Sequence, residues 1–363
     1  MQCRVRSGPS PSTTLSSNVQ LTQLLNYRQA LRNVQNGVSD AKLLFLGDST
    51  TAGFNSGNVN FPILGAPSTK IISPLNYKNY PMAQGLGIPP SGNPQVDNRW
   101  VADSNWGHFT FGFGGNADWQ NSSGTVGTGL NYTPTGGLSY DSFDIYYIQS
   151  PGLGTFTATA TGGVPTPVNA GSGPNAVVKT TVTGTLSTTI SLNIITTPGF
   201  PNHILGVEPF NSTVKRIRVG NAGTNMAQSG DYVLNSTSFG AIPCIKTYAP
   251  HLTIWNIGIN DSTIPISVAT YSSNVQQIIL ACQVSGDVIL QTCFPSTNSS
   301  WHATQALYRS ALFNLASSMN VGIIDYWGSI NGVQPPAFLG DGVHPNPQGY
   351  LDAASQDYNA IAV

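Results

Sequence analysis

Three short stretches of this chain carry residues whose types and spacing suit nucleophilic acyl chemistry. LLFLGDSTTAGF (43–54) presents Ser49 directly after an apolar run, and FLGDGVHPNPQGY (338–350) presents Asp341 three residues before His344. LTIWNIGINDS (252–262) places Asn260 just beyond a second apolar run. A serine hydroxyl attacks a carbonyl only when a base removes its proton. Imidazole suits that task because it titrates near neutrality. A carboxylate one turn away can accept the ring's other N–H and fix its tautomer. An amide can meet the negative charge that grows on the attacked oxygen. Ser49, His344 and Asp341 are therefore the candidate catalytic residues. Asn260 and the backbone N–H groups of Ser49 and Gly223 are the candidate oxyanion donors.

Each residue also has a plainer explanation. A serine after a strand is commonly a helix cap, and Asp-Gly is commonly a turn. Asn260-Asp261 could cap a helix, and Asp261 reads as structural. His108, His203, His251 and His302 lack a partner at ligand or triad spacing and read as packing residues. What favours catalysis for the others is their company, each lying where a buried strand gives way to a loop.

The elements that must hold these residues can be read from texture. Residues 19–36 carry apolar positions at helical spacing, and KLLFL then reads as a fully buried strand. After about 215 the pattern alternates. KRIRVGNAG, HLTIWNIGIND, DVILQTC and VGIIDYW read as strands, with helical stretches between them and at the end. Strand alternating with helix implies βαβ units, hence a parallel sheet with helices on both faces. In such sheets ligands bind beyond the carboxyl ends of the strands, where Ser49, Gly223 and Asn260 fall. Residues 55–214 differ, with short β-branched or alternating runs such as FDIYYIQ and TTISLNII between Gly/Pro/Asn clusters. That spacing predicts an antiparallel β-sandwich. The expected organisation is a flexible segment over 1–18, a discontinuous α/β domain over 19–54 and 215–363, and the sandwich inserted over 55–214. The insert is expected beside the mouth of the site, as a carbohydrate-binding or site-shaping module.

Taken in order, these blocks resemble the SGNH/GDSL hydrolase family. Gly47-Asp48-Ser49 matches its GDS core, with Thr50 in place of the often-seen leucine. Asn221-Ala222-Gly223 stands where the second block's glycine gives an oxyanion amide. Gly258-Ile259-Asn260-Asp261 matches GxND, and Asp341-Gly342-Val343-His344-Pro345 matches DxxHP. The resemblance covers the α/β part and is silent on the insert. It implies a flavodoxin-like, three-layer α/β/α fold and serine esterase activity without a cofactor. The family spans lipases, thioesterases, acyl-protein esterases and carbohydrate acetylesterases. There is no GxSxG elbow, P-loop or strand-linked GxGxxG.

Composition narrows the substrate. Only 8% of residues are charged and the net charge is −1, so no basic patch offers a nucleic-acid partner. A surface built from Ser, Thr, Asn and Gln, with a sandwich beside it, points to an acylated polysaccharide or glycan and to loss of a small acyl group, acetyl first. A lipase or general carboxylesterase is the alternative among enzymes. A receptor-binding or adhesion protein on an esterase fold is the alternative outside them. Such compositions occur in exported and phage fibre proteins, so an extracellular, cell-surface or virion setting is expected. No apolar run is long enough to span a membrane, and residues 1–18 lack the apolar centre of a signal peptide.

Trp100, Trp106 and Trp119 belong to an aromatic cluster that either stacks on sugar faces or fills the sandwich core. They are the candidate substrate-binding residues. The four cysteines, Cys3, Cys244, Cys282 and Cys293, allow three full pairings or none, and no Cys/His spacing implies a metal.

Overall fold

The computed structural model describes residues 19–54 and 138–362, without 235–237 and 339. Between 55 and 137 it describes 82–84, 99–103, 106–109, 112–113, 118–121 and 129–134. In chain order the strands begin with β1 (Ala41–Gly47), β2 (Met82–Gln84), β3 (Trp100–Ala102), β4 (Trp106–Phe109), β5 (Asp118–Asn121) and β6 (Gly129–Tyr132). There follow β7 (Tyr140–Gln149), β8 (Thr155–Ala160), β9 (Thr166–Asn169), β10 (Ala176–Ser187), β11 (Leu192–Thr196) and β12 (His203–Phe210). The last are β13 (Ile217–Gly223), β14 (Leu252–Asn256), β15 (Asp287–Gln291) and β16 (Gly322–Ile324). The α-helices are α1 (Leu25–Gln35), α2 (Ser49–Ala52), α3 (Asp231–Leu234), α4 (Ala241–Tyr248) and α5 (Ile259–Thr263). They continue with α6 (Val268–Gln283), α7 (Ser299–Met319), α8 (Tyr326–Ser329) and α9 (Pro347–Ile361).

Six strands form a parallel sheet in the order β16-β15-β14-β1-β13-β2. Without β2, its chain order is the 2-1-3-4-5 of flavodoxin-like folds, with the switch point between β1 and β14. β1 shows why its sequence reads as one apolar run. Leu44 and Leu46 face a core that includes α4, α6 and α7. Ala41, Leu43 and Phe45 face the core beneath α1 and α9. With side chains alternating across a sheet covered on both faces, no position from Leu43 to Gly47 is left for a polar residue to meet water.

The insert region holds two five-stranded antiparallel sheets, β10-β7-β12-β5-β4 and β3-β6-β11-β8-β9. They close on a core of their own that includes Phe143, Ile145, Phe156, Leu192 and Ile194. Two features add to the expected picture. First, β2, from within 55–214, pairs with β13 and extends the parallel sheet, so the insert is not wholly a sandwich. Second, a described ion network joins sandwich and sheet at the amino ends of the strands. Lys42 and Arg218 are the second residues of β1 and β13, at the amino ends of the strands. Arg218 contacts Asp40 at 2.6 Å, Glu208 of β12 at 3.0 Å and Asp144 of β7 at 3.3 Å. Burial works against the Arg218 cation, but Glu208, Asp40 and Asp144 outweigh it and raise its pKa. Tyr146, Ile148, Val177 and Leu205 of the sandwich also share a core with Leu44, Leu46 and Tyr248. Sandwich and sheet are thus joined by apolar packing and by a buried ion network, which is costly to break from one side.

A second buried acid gives the fold a pH signature. Asp357 of α9 is fully buried and accepts hydrogen bonds from Tyr326 Oη and Gln291 Nε2. Burial pushes its carboxyl up to about 8, from an ordinary 3.8. Between those values the native state holds a proton that the unfolded chain has lost, so stability falls as pH rises through that window, by at most about 4 kcal/mol at pH 7. Asp357→Asn keeps an accepting oxygen and cannot ionise. In thermal melts, the variant's Tm minus that of the wild type should rise from pH 4 to pH 8. A difference independent of pH would show that Asp357 titrates as an ordinary carboxylate.

Candidate active site

The site is assembled where β1, β13 and β14 end. Gly47 closes β1 at φ 154°, and a Cβ there would lie 2.1 Å from Thr51 Oγ1 and 2.2 Å from Asn256 O, so only glycine lets the chain turn here. The Tyr232 hydroxyl holds this residue from both sides, donating to Gly47 O at 2.7 Å and accepting from Gly47 N–H at 3.1 Å. Asp48 then caps α2, accepting from Thr50 N–H at 2.9 Å and from the Thr50 hydroxyl at 2.7 Å. Ser49 is the first residue of that helix. Burial raises the Asp48 carboxyl despite the Thr50 hydrogen bonds and the nearby His344.

Ser49 Oγ lies 2.7 Å from His344 Nε2, and His344 Nδ1 lies 2.8 Å from Asp341 Oδ2. The other carboxylate oxygen, Oδ1, accepts from the N–H groups of Val343 at 3.0 Å and His344 at 2.8 Å. Partial burial alone would raise the Asp341 carboxyl. The hydrogen bonds from His344 N–H, its ring and Val343 N–H outweigh it and hold the carboxyl below its usual value. An ionised Asp341 favours a proton on Nδ1, which leaves Nε2 free to accept from the serine. The loop itself is tied down by Thr297 N–H donating to Gly342 O at 3.0 Å and by Gly340 N–H donating to His344 O at 3.1 Å.

Asn260 is buried on α5 and does not cap it. Its Nδ2 donates one proton to Ala227 O at 3.0 Å, which leaves the second without an acceptor among the described residues. The Ser49 N–H likewise has no acceptor there. Residues 224–227 run between two anchors next to the site: Thr224 N–H donates to Gly47 O at 2.8 Å, and Ala227 receives Asn260. Between them Met226 adopts φ 62°, unusual for a residue with a side chain. Asp261 is structural, as expected: its carboxyl accepts from Ser229 N–H and from the Ser229 hydroxyl, at 2.6 Å for the latter.

Two expectations need correction. Gly223 N–H donates to Asn221 Oδ1 at 2.9 Å, so this amide is already used. The position needs glycine for another reason, since a Cβ would lie 2.3 Å from Ala52 N and push α2 off the sheet. Trp100 and Trp106 are 5% and 7% exposed and belong to the sandwich core, so neither offers a ring face to a sugar. Trp119 is in β5, whose backbone pairs with β4 and β12, and its side chain lies outside the described residues. Cys244, Cys282 and Cys293 are buried and form no disulfide among the described residues, and burial pushes Cys282 up to about 12. Cys3, like the rest of 1–18, lies outside the described residues.

Sequence reasoning missed Phe54, whose ring centroid lies 4.5 Å from that of His344. It also missed the Tyr232 clamp on Gly47. Phe54 ends the same stretch as Ser49, but nothing in its spacing shows that it meets a residue from the other end of the chain. Among the described residues no group of three or more His, Cys, Asp or Glu side chains is placed to hold a metal ion, and no helix is long and apolar enough to cross a membrane.

Comparison with known proteins bears on the fold. No curated protein matches the chain by sequence. Residues 209–351 match the GDSL-like Lipase/Acylhydrolase family. A solved peptidoglycan O-acetylesterase superimposes with a TM-score of 0.69 at 18% identity, over 93% of this chain and 95% of that one. A catalytic mutant of an acetylxylan esterase from Geobacillus stearothermophilus gives a TM-score of 0.35 at 19% identity, over 40% of this chain and 73% of that one. A family two carbohydrate esterase from Cellvibrio japonicus gives 0.31 at 11% identity, over 72% and 98%. Only the first of these reaches a shared overall fold. Residues 209–351 are thus similar to the GDSL-like Lipase/Acylhydrolase family, and the chain shares its overall fold with a solved peptidoglycan O-acetylesterase.

Proposed function

We propose that this protein is a serine esterase that removes small acyl groups, acetyl first, from a polysaccharide or glycan. The observation that carries the reading is the continuous hydrogen-bonded chain Ser49–His344–Asp341 beside two unengaged donors, Ser49 N–H and the second Nδ2 proton of Asn260. In this reading His344 Nε2 takes the Ser49 proton as Oγ attacks the ester carbonyl, and Asp341 steadies the imidazolium. The carbonyl oxygen gains charge and meets the two donors. Collapse expels the sugar alcohol, which takes the proton from His344. Water, activated by the same base, then frees the acid and restores Ser49. The catalytic unit is 19–54 with 215–363, and 55–214 is a substrate-binding or site-shaping part. The fold shared with a peptidoglycan O-acetylesterase supports glycan-linked acetate as the first substrate class to test.

The test compares p-nitrophenyl acetate, butyrate and octanoate, and follows acetate release from an O-acetylated polysaccharide, with Ser49→Ala as background. The acetyl ester should give the highest kcat/KM, falling at least about tenfold by octanoate, since a mismatch of even one methylene in a pocket is worth about 10-fold or more. A kcat/KM that climbs with chain length would identify a lipase. No turnover of any ester, synthetic or polysaccharide-bound, would favour a binding protein that keeps the fold.

A further inference from the structure

We propose that Phe54 is a positioning residue that braces the His344 ring against Ser49, with Tyr350 as its anchor; this rests on the esterase reading above. Asp341, which would be expected to hold the ring alone, is an open tether: its side chain is 40% exposed, whereas that of His344 is 15% exposed. Water competes for an exposed carboxylate, so one hydrogen bond to Nδ1 fixes the ring less firmly than a buried bond would. A second support is in place on the ring's face. The Phe54 ring is tilted 47° to the imidazole, with centroids 4.5 Å apart.

Phe54 is itself fixed relative to the nucleophile. α2 ends at Gly53, whose φ of 90° reverses the chain in the manner of a helix C-terminus. That reversal lets Phe54 N–H donate to Ser49 O at 3.0 Å. On its other side Phe54 O accepts from the Tyr350 hydroxyl at 2.6 Å. Tyr350 is fully buried on α9, the helix that follows the His344 loop. Nucleophile, brace and base are therefore linked in a closed circuit: Ser49 O to Phe54 N–H, Phe54 ring to His344 ring, His344 Nε2 to Ser49 Oγ. The imidazole can swing off the serine only by leaving the phenyl face, so the ring's position is held at both its carboxylate edge and its π-face. Phe54 takes no part in bond making.

The experiment uses the full chain, with p-nitrophenyl acetate and butyrate as probes. Phe54→Ala should lower kcat by about 10- to 100-fold, the size of loss that a misplaced catalytic group brings, with KM unchanged. The loss should be the same for both esters, because the defect lies in the enzyme's own base. Phe54→Tyr should restore most of the activity. Tyr350→Phe, which keeps every ring and removes one hydrogen bond, should give a several-fold loss with the same split, and tests the proposal even where Phe54→Ala folds poorly. Unchanged kcat in both Phe54→Ala and Tyr350→Phe overturns it. So does a rise in KM at constant kcat, or a loss that depends on acyl length, since either makes Phe54 a wall of the substrate pocket. Wild-type activity that Ser49→Ala abolishes keeps the esterase reading whatever Phe54 does; absence of wild-type activity removes both.

Discussion

Ser49→Ala should lower kcat by about 10⁵- to 10⁶-fold while the protein stays folded, the loss expected when a triad nucleophile is removed. The serine acts through one atom. Among the described residues its Oγ makes a single hydrogen bond, to His344 Nε2, and the side chain is otherwise buried at the start of α2. Alanine fits that space and helix position, so the structural cost is about one hydrogen bond, ~1 kcal/mol. Because the three residues act as a unit, adding His344→Ala should cost little more activity. A Ser49→Ala protein that kept more than a few per cent of wild-type kcat would show that another group attacks the ester. A variant inactive because it is unfolded, seen as a lost thermal transition, would leave the nucleophile to be identified by mass spectrometry of a phosphonate-labelled wild-type enzyme.

How much of this was legible in the sequence depended on whether the information was local. The β1 run, apolar or small from Leu43 to Gly47 as both faces are covered, announced a central parallel strand. Ser49 and Asn260 were legible as candidates because each stands just after a strand that texture alone could place, and Asp341 and His344 because they stand just before the last helix. Gly223 was misread because its role depends on contacts across space. The Asn221 side chain takes its amide, and Ala52 of another element needs the space where a Cβ would be. The three-residue β2 sits in a stretch rich in Gly, Pro and Asn, with too few residues to show any period, and it is a strand only because β13 offers an edge. The aromatics failed differently. A tryptophan on a short strand looks the same in sequence whether its ring meets a sugar or a second sheet, and for Trp100 and Trp106 the second sheet covers it. The buried charges that join sandwich to sheet at the amino ends of β1 and β13 were not legible either, because Arg218 meets Asp144 and Lys42 meets Glu208 only across space.

Asn260→Ala should lower kcat by about 10²- to 10³-fold with little change in KM. The donor counts only when charge sits on the carbonyl oxygen, so its loss is felt in the transition state and hardly in substrate binding. The substitution has a second consequence, because Asn260 Nδ2 also holds Ala227 O at 3.0 Å in a buried setting. Leaving that carbonyl without a donor costs about 1–3 kcal/mol, so a lower Tm is expected alongside the kinetic effect. The two consequences can be separated at the Ala227 end. Gln228 Nε2 donates to the Asn260 backbone oxygen at 3.1 Å, and Gln228→Ala would loosen the same loop while leaving the Asn260 amide in place. If Asn260 acts as an oxyanion donor, Gln228→Ala should lower Tm with only a small loss of kcat, whereas Asn260→Ala should lower both. Equal kinetic losses in the two variants would mean that Asn260 serves only to hold the 224–227 loop. The oxyanion would then have to be met by the Ser49 amide and by backbone donors of that loop.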